Sequence, residues 1–286
     1  MRAHARVSVW TLIVALGALG GPLLGQEASE FPASEWPAVR AAMEAGGVDA
    51  AVAHINGFDV PLERLQLYAH VQNTLTWEEW PGRDDLDNYI QLSDAAITSA
   101  LWFASTAEDD EEAARYTNAA NVFSYNLAAE LAVCWPGDDR IREPRHLERG
   151  LEAARRCIVR RHRLGRSAES YSMAYWAAGV HLLALDRPGA AAEAFEEALF
   201  YAREAALEAD EPASVGPRAG LNVLLNQGFS GLALWVAGDP AGRSRYRNVM
   251  NITHAQEARS EDQQAAFGAA FIRAQLERMR ESVGLP

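Results

Sequence analysis

The stretch from Ser172 to Ala205 constrains the fold more than any other part of the chain, because it reads as two helices joined by a tight turn. Its sequence is SMAYWAAGVHLLALDRPGAAAEAFEEALFYAREA. Apolar residues recur at helical spacing on both sides of the turn at residues 186–189, which reads Asp-Arg-Pro-Gly. Proline ends the first helix and glycine permits the turn. The stretch therefore predicts an antiparallel helical hairpin.

Small residues and one aromatic residue indicate where the two helices of this hairpin touch. Gly179 lies inside the first helix, where glycine costs about 1 kcal/mol relative to alanine and usually serves close packing. Ala191, Phe195 and Ala198 are spaced four and then three residues apart, so they share one face of the second helix. We expect Phe195 to lie in the core between the two alanines.

The spacing resembles that of the tetratricopeptide repeat (TPR). The residues that carry the resemblance are Gly179, Leu182, Ala191, Phe195, Ala198 and Leu199. The chain departs from the TPR pattern at Tyr175 and Ala178, where that family has Trp and Leu, and at Arg203, where it often has Pro. One hairpin carries the match, and an ordinary antiparallel helix pair is the alternative. The resemblance implies hairpins that stack as a solenoid and bury each other's apolar faces.

The rest of the chain shows further helical runs separated by Gly and Pro clusters, and no run with strand alternation. We expect roughly ten helices and an all-α fold, in which antiparallel helical hairpins stack as a short TPR-like solenoid. The acidic run at residues 108–112 is interpreted as a helix start, since acidic side chains complement the positive end of the helix dipole. A calcium loop is less consistent with it, because the spaced pattern and the glycine of such a loop are absent.

The N-terminus predicts export. It reads MRAHAR, then the apolar run VSVWTLIVALGALGGPLLG, then QEASE, which is the succession of a secretory signal peptide over residues 1–25. Cleavage is expected near Gly25, although Ala18 and Gly20 offer another site. The alternative is an uncleaved anchor, since the run is about long enough to span a bilayer. Cleavage would take the formal charge from −13 to −15, because Arg2 and Arg6 would be removed.

The remaining chain divides into a flexible mature terminus at 26–33 and one all-α helical repeat domain at 34–286. Nothing after residue 25 resembles a membrane span, so a periplasmic or extracellular location is expected. The net charge of −13 argues against nucleic acid as a partner. The chain contains no lysine, which excludes Schiff-base chemistry and the phosphate-binding lysine of a P-loop.

No motif points to catalysis, a metal or a cofactor. The seven histidines form no metal-ligand spacing, and no GxSxG, P-loop or GxGxxG occurs. Cys134 and Cys157 would lie about 16 Å apart along a simple hairpin, beyond the reach of about 7 Å that a disulfide allows, although the long loop between them leaves a disulfide open. Trp77 and Trp80 flank two glutamates. This pattern fits either a sugar-stacking platform or two rings that cap a helical core.

A basic segment at residues 138–166 stands out in this acidic chain, with ten Arg against five acidic residues. On a helix starting at His146, five arginines fall opposite the apolar stripe: Arg145, Arg149, Arg156, Arg160 and Arg163. Two interpretations are open. The face is paired with acids elsewhere, or it is a docking surface for an acidic partner.

The resemblance also implies a groove, because TPR ligands contact the first helix of each repeat. Carried over by spacing from Gly179 and from Gly231, this picks out Met173, Trp176, Val180, Leu183, Leu225, Leu232 and Trp235. Such apolar, aromatic surfaces suit an amphipathic helix or an extended peptide. The alternative is that another helix of the chain fills the groove.

Three functions are compatible with these features. The first is an exported, non-catalytic TPR-like scaffold that binds a protein or peptide. The second is an exported all-α enzyme acting on glycans, which would need two carboxylates about 5–10 Å apart in a cleft. The third is a helical component of an envelope transport complex.

Overall fold

The computed structural model describes residues 31–75, 82, 84–260 and 262–286. These residues form ten α-helices and no β-strand, which confirms the all-α fold predicted from the sequence. The helices are α1 (Phe31–Asn56), α2 (Pro61–Thr74), α3 (Leu86–Thr106), α4 (Asp110–Glu130), α5 (Pro144–Leu164), α6 (Ala168–Ala184), α7 (Pro188–Glu208), α8 (Leu221–Val236), α9 (Pro240–Arg259) and α10 (Gln263–Ser282).

The N-terminal boundary differs from the one expected. The signal peptide at 1–25 and residues 26–30 of the expected terminus lie outside the described residues, as do Trp77 and Trp80. Residues 31–33 belong to α1, and Pro32 is buried, so the end of that segment is helical rather than flexible. Within α1 the helix breaks at Gly46 and Gly47, where Gly47 has a φ of 73°. The break matches the stop signal that the glycine pair gives in the sequence.

Carboxylate side chains begin several of the helices. Asp109 precedes α4 and accepts a hydrogen bond from the backbone N of Glu112 at 2.7 Å, and residues 110–112 form the first turn. The acidic run is therefore a helix start, as the sequence predicted. Asp85, Asp239 and Asp262 cap α3, α9 and α10 in the same way.

Consecutive helices pack against each other along the described chain. In addition α2, α4, α6 and α8 each contact the next even-numbered helix, and we call these four helices together with α10 the even row. The odd-numbered helices alternate with them along the chain. The arrangement is solenoid-like, in which each hairpin buries the apolar face of its neighbour.

Two hairpins share a close approach at a glycine. In α6–α7, a Cβ on Gly179 would lie 2.6 Å from the ring of Phe195, and in α8–α9, a Cβ on Gly231 would lie 2.7 Å from the backbone N of Tyr246. Both approaches are too close for any side chain larger than hydrogen. Phe195 is fully buried and packs on Phe229 with ring centroids 5.2 Å apart. The predicted core position of Phe195 is confirmed.

Candidate binding surfaces

Three of the seven predicted groove residues converge on one small cavity within the even row. Met173, Trp176 and Leu225 line it, on α6 and α8. Its other lining residues come from α4, from the segment after α4, from α8 and from α10: Tyr125, Trp135, Leu221, Asn222, Phe271, Ile272 and Gln275. The cavity holds about 50 Å³.

Aromatic rings form much of the wall of this cavity. Trp135 packs against Trp176 with ring centroids 5.7 Å apart and stacks on Phe271 at 6.2 Å. Trp176 also meets Phe229 edge-on at 6.0 Å. The indole nitrogen of Trp135, in the segment after α4, donates a hydrogen bond to the carbonyl of Ala129 at 2.6 Å. This bond fixes the ring against the end of α4.

Helix α10 occupies the place expected for an open groove. Its residues Phe271 and Ile272 close the cavity over Trp176, which is 4% exposed. The far end of α10 is also fixed, because Arg278 donates a hydrogen bond to the carbonyl of Asp138 at 3.0 Å. The alternative that another helix of the same chain fills the groove is therefore the one found here, and a cavity is what remains of the groove.

The other predicted groove residues do not form a surface. Val180, Leu183 and Leu232 are at most 2% exposed, because the helices on either side of α6 and α8 cover them. Trp235 is half-buried beside Tyr246 at 5.9 Å, with the guanidinium of Arg243 5.4 Å above its ring. These four residues do not contribute to the cavity.

The predicted basic face on α5 is mostly ion-paired. Arg145 bonds Asp87 at 2.6 Å, Arg149 pairs with Asp94, and Arg156 bonds Glu152 at 2.5 Å. Arg163 is exposed and makes no ion pair with a described residue. The interpretation as a face paired with acids elsewhere holds for Arg145 and Arg149, which pair with acids of α3, whereas Arg156 pairs with an acid of α5 itself.

Arg160 does not belong to an exposed face, contrary to expectation. It is 8% exposed, and its guanidinium donates a hydrogen bond to Ser124 Oγ of α4 at 2.7 Å. Burial lowers the pKa of Arg160. Arg161, which the sequence did not single out, is also buried and lies 4.9 Å above the ring of Tyr125. Both are buried because α5 packs against α4 and α6 on two sides, which leaves only a narrow exposed arc.

An exposed surface of different composition runs from α5 to α7. On α5, Arg155, Val159, His162 and Arg163 share one face at helical spacing, and Val159 is 51% exposed. Rings continue this face: His162 meets Tyr171 at 4.6 Å, Tyr171 meets Tyr201 at 4.8 Å, and Tyr201 meets Phe200, itself 54% exposed, at 5.2 Å. We call these seven residues the basic–aromatic surface. The ring surface, in which Phe200 is exposed and Tyr171 and Tyr201 are half-buried, was not predicted, although the spacing of Tyr171, Tyr175 and Tyr201 in the sequence is visible.

A second cavity of about 650 Å³ lies where α6, α7, α8, α9 and α10 meet. Alanines make up much of its wall, and Glu169, Glu211, Gln256 and Arg259 supply its polar side. Burial raises the pKa of Glu169, and the nearby charge of Glu211 raises it further. Gln256 fixes one wall, since its amide donates hydrogen bonds to the carbonyls of Pro217 and Ala219.

Cys134 and Cys157 do not form a disulfide in the structure. Both are buried free thiols, and Cys157 Sγ donates to Asn121 Oδ1 at 3.0 Å. Burial raises the pKa of Cys134 to about 12, so its thiol stays protonated and unreactive.

Across the described ranges, no group of three or more His, Cys, Asp or Glu side chains is placed to hold a metal ion. No described helix has both the length and the hydrophobicity to cross a bilayer.

Comparison with known proteins does not assign the chain to a family. No protein-family model matches it, and no curated protein or solved structure is significantly similar to it.

Proposed function

We propose that the chain is an exported, non-catalytic, TPR-like scaffold that binds a polypeptide partner through the basic–aromatic surface. The observation that carries the proposal is the exposure of Val159, 51%, beside arginines that make no ion pair with described residues, and of Phe200, 54%, which ring contacts join to the same surface. Large apolar side chains exposed together beside unpaired charges are typical of interaction surfaces. The export part of the proposal is supported by the N-terminal sequence alone, and a periplasmic or extracellular location follows from it.

The chemistry of the surface indicates an acidic partner with an apolar or aromatic anchor. Arg155 and Arg163 present positive charge on a chain whose formal net charge is −13, so an acidic partner finds at this surface an attraction that the chain as a whole does not offer. Val159 and the rings of Tyr201 and Phe200 offer apolar contact beside that charge. An acidic peptide with one aromatic side chain would satisfy both.

Selection from a random peptide library displayed on phage tests this function. Peptides enriched on the purified protein should combine acidic residues with an aromatic one, and their affinity should fall with salt, since surface charge pairs are screened. The triple variant R155E/V159D/R163E should bind them about tenfold more weakly or worse, and associate more slowly. Arg160, originally part of the predicted face, is unsuitable for this test because its reversal would bury an unpaired carboxylate.

The matched control is R247E. Arg247 is exposed on α9 and makes no ion pair with a described residue, so its reversal changes the net charge without touching the basic–aromatic surface. Peptides that bind the triple variant as tightly as the parent would refute the assignment. A library that yields no enriched acidic peptide would do the same.

One observation favours a second candidate, the exported enzyme acting on glycans. Glu169 and Glu211 line one cavity of about 650 Å³, and the raised pKa of Glu169 suits a general acid. Release of reducing sugar from a panel of polysaccharides, lost in Glu169→Gln and in Glu211→Gln, would establish it. The third candidate, a component of an envelope transport complex, shares the binding chemistry proposed above and differs only in the identity of its partner.

A further inference from the structure

The 50 Å³ cavity of the even row has an uncharged lining. Its ten lining residues include no Asp, Glu, Arg, Lys or His, although the chain carries 39 acidic and 26 basic residues. The guanidinium of Arg161 lies on the ring of Tyr125 rather than in the wall. Burial raises the pKa of Tyr125 well above its usual range, so this hydroxyl remains neutral too. A charged group entering the cavity would lose its hydration and meet no counter-charge among the lining residues.

Besides the indole of Trp176, two polar side chains in this wall have no hydrogen-bond partner among the described residues. Gln275 is 3% exposed and Tyr125 is 6% exposed, and neither makes a side-chain hydrogen bond there. The polar atoms of Gln275 and Tyr125 are nevertheless not completely enclosed. Trp176 Nε1, in contrast, is completely enclosed and has no partner. Gln275 and Tyr125 therefore keep some accessible surface on their polar atoms, and both residues line the cavity. Polar groups of buried residues that lack a protein partner call for an explanation, such as bound water or a ligand.

Asn222 adds a third polar group whose orientation is fixed. Its Oδ1 accepts hydrogen bonds from Asn226 Nδ2 at 2.8 Å and from Ser172 Oγ at 3.3 Å. Because the oxygen is engaged, the amide nitrogen is left as the free donor of this side chain. The residues of the wall thus carry one amide with donor and acceptor, one hydroxyl, and the further donor of Asn222, a residue that also lines the cavity of about 650 Å³.

We propose that this cavity is a binding site for an uncharged ligand that inserts a short aliphatic group between the rings and places a neighbouring amide against Gln275, Tyr125 and Asn222. The volume sets the size of the inserted group. About 50 Å³ is several times the ~10–15 Å³ that one water needs, and less than the ~150 Å³ cavity that binds benzene. A branched aliphatic side chain next to a peptide group matches both the size and the polarity.

The site is distinct from the basic–aromatic surface. Its wall comes from α4, the segment after it, α6, α8 and α10, and it includes none of the seven residues of that surface. The two also select opposite chemistry, since one suits acidic groups and the other excludes charge. Each can fail in experiment without the other.

N-acetyl-leucinamide is the probe, and N-acetyl-leucine is its charged counterpart of nearly equal shape. The purified protein is titrated with each while the indole N–H signals of Trp135 and Trp176 are followed by NMR. The amide should bind with a dissociation constant of about millimolar order and shift both signals. The carboxylate should bind at least tenfold more weakly because it must be desolvated.

Two substitutions that conserve volume test the polar contacts. Gln275→Met and Tyr125→Phe should each weaken binding of the amide about threefold to tenfold, as expected for one lost hydrogen bond. The control is Gln263→Met, the same change on an exposed residue of α10, which should bind like the parent. Without ligand, the Gln275→Met protein should melt at or above the temperature of the parent, because it removes a polar group that has no partner.

Three results would overturn the proposal. The first is an absence of shifts up to the solubility limit of the amide, which would mean that the cavity holds water only. The second is equal binding of the carboxylate and the amide. The third is a Gln275→Met protein that melts well below the parent, which would show that the amide already has a stabilising partner in the fold.

Discussion

Among single residues, Gly179 matters for the space that it leaves to its neighbour. A Cβ at this position would lie 2.6 Å from the ring of Phe195, which is itself fully buried against Phe229. Because the ring cannot move aside, we expect Gly179→Ala to lower the free energy of unfolding by about 1–3 kcal/mol, despite the better helix propensity of alanine. Urea denaturation measures the difference.

Gly189 provides the matched control for this substitution. It lies in the first turn of α7, and a Cβ there would have no atom within 4 Å. Gly189→Ala should leave stability unchanged or raise it by a few tenths of a kcal/mol. A Gly179→Ala protein as stable as its parent would show that the two helices separate more easily than their packing implies.

Residue-level predictions succeeded where the information is local. Phe195 was predicted to be in the core from its spacing to two alanines on its own helix, and it is. Trp176 was assigned to a groove, but the rings that pack against it, Trp135 and Phe229, are far away in sequence. Arg160 was misplaced for a related reason. The helical-wheel analysis divided α5 into one buried and one exposed face. In the structure α5 has neighbours on two sides, so Arg160 is buried as well.

Among the helices, α10 is the element whose position the sequence could not predict. Its existence follows from helical periodicity, which predicts a last helix from about Ser260 to Val283, and the observed helix begins after the cap at Asp262. Its contact with Trp135 and with the carbonyl of Asp138 joins segments more than 130 residues apart, as the numbering shows. No local pattern encodes such a contact. The cavity, which α10 closes, was therefore only partly predicted, through Met173, Trp176 and Leu225.

The double variant Phe271→Ala/Arg278→Ala tests the docking of α10. It removes the ring stacked on Trp135 and the hydrogen bond to Asp138, so α10 should open more often while α6 and α7 stay protected. Amide hydrogen exchange, followed by mass spectrometry, should show faster exchange confined to α10 and the helices that it contacts. Phe200→Ala is the control, because it removes a ring that is 54% exposed. Unchanged exchange in α10 would contradict this account of how the cavity is closed.

For the molecule as a whole, export is the property that the sequence predicts most directly. The charged start, the apolar run and the polar exit at residues 1–30 lead us to expect cleavage near Gly25. Intact-mass spectrometry of the secreted protein should give the mass of a chain that begins at or close to Gln26. A chain that begins at Met1 and sediments with membranes would show that the segment is an anchor.

The stability of the whole molecule should also depend on pH through one buried histidine. His181 is fully buried, with Gly150 against its ring and its Nε2 2.8 Å from the carbonyl of Ala128. A carbonyl only accepts, so the neutral ring donates from Nε2. Burial lowers the pKa of His181 from 6.5 to about 4, although the hydrogen bond to Ala128 opposes this shift.

The direction of the pH effect follows from which state binds the proton. Above pH 6.5 the ring is neutral in both states, and His181 contributes no dependence. As pH falls from 6.5 to about 4, the unfolded chain binds a proton that the folded chain does not, so the free energy of unfolding should fall by up to about 3 kcal/mol. Denaturant titrations at several pH values in this window measure the slope.

His181→Gln keeps a donor for the carbonyl of Ala128 but cannot be protonated, so it should flatten the slope, whereas His162→Gln, at an exposed site, should not. An equally steep loss of stability in His181→Gln would assign the dependence to other groups, such as Asp138, whose depressed pKa acts at lower pH.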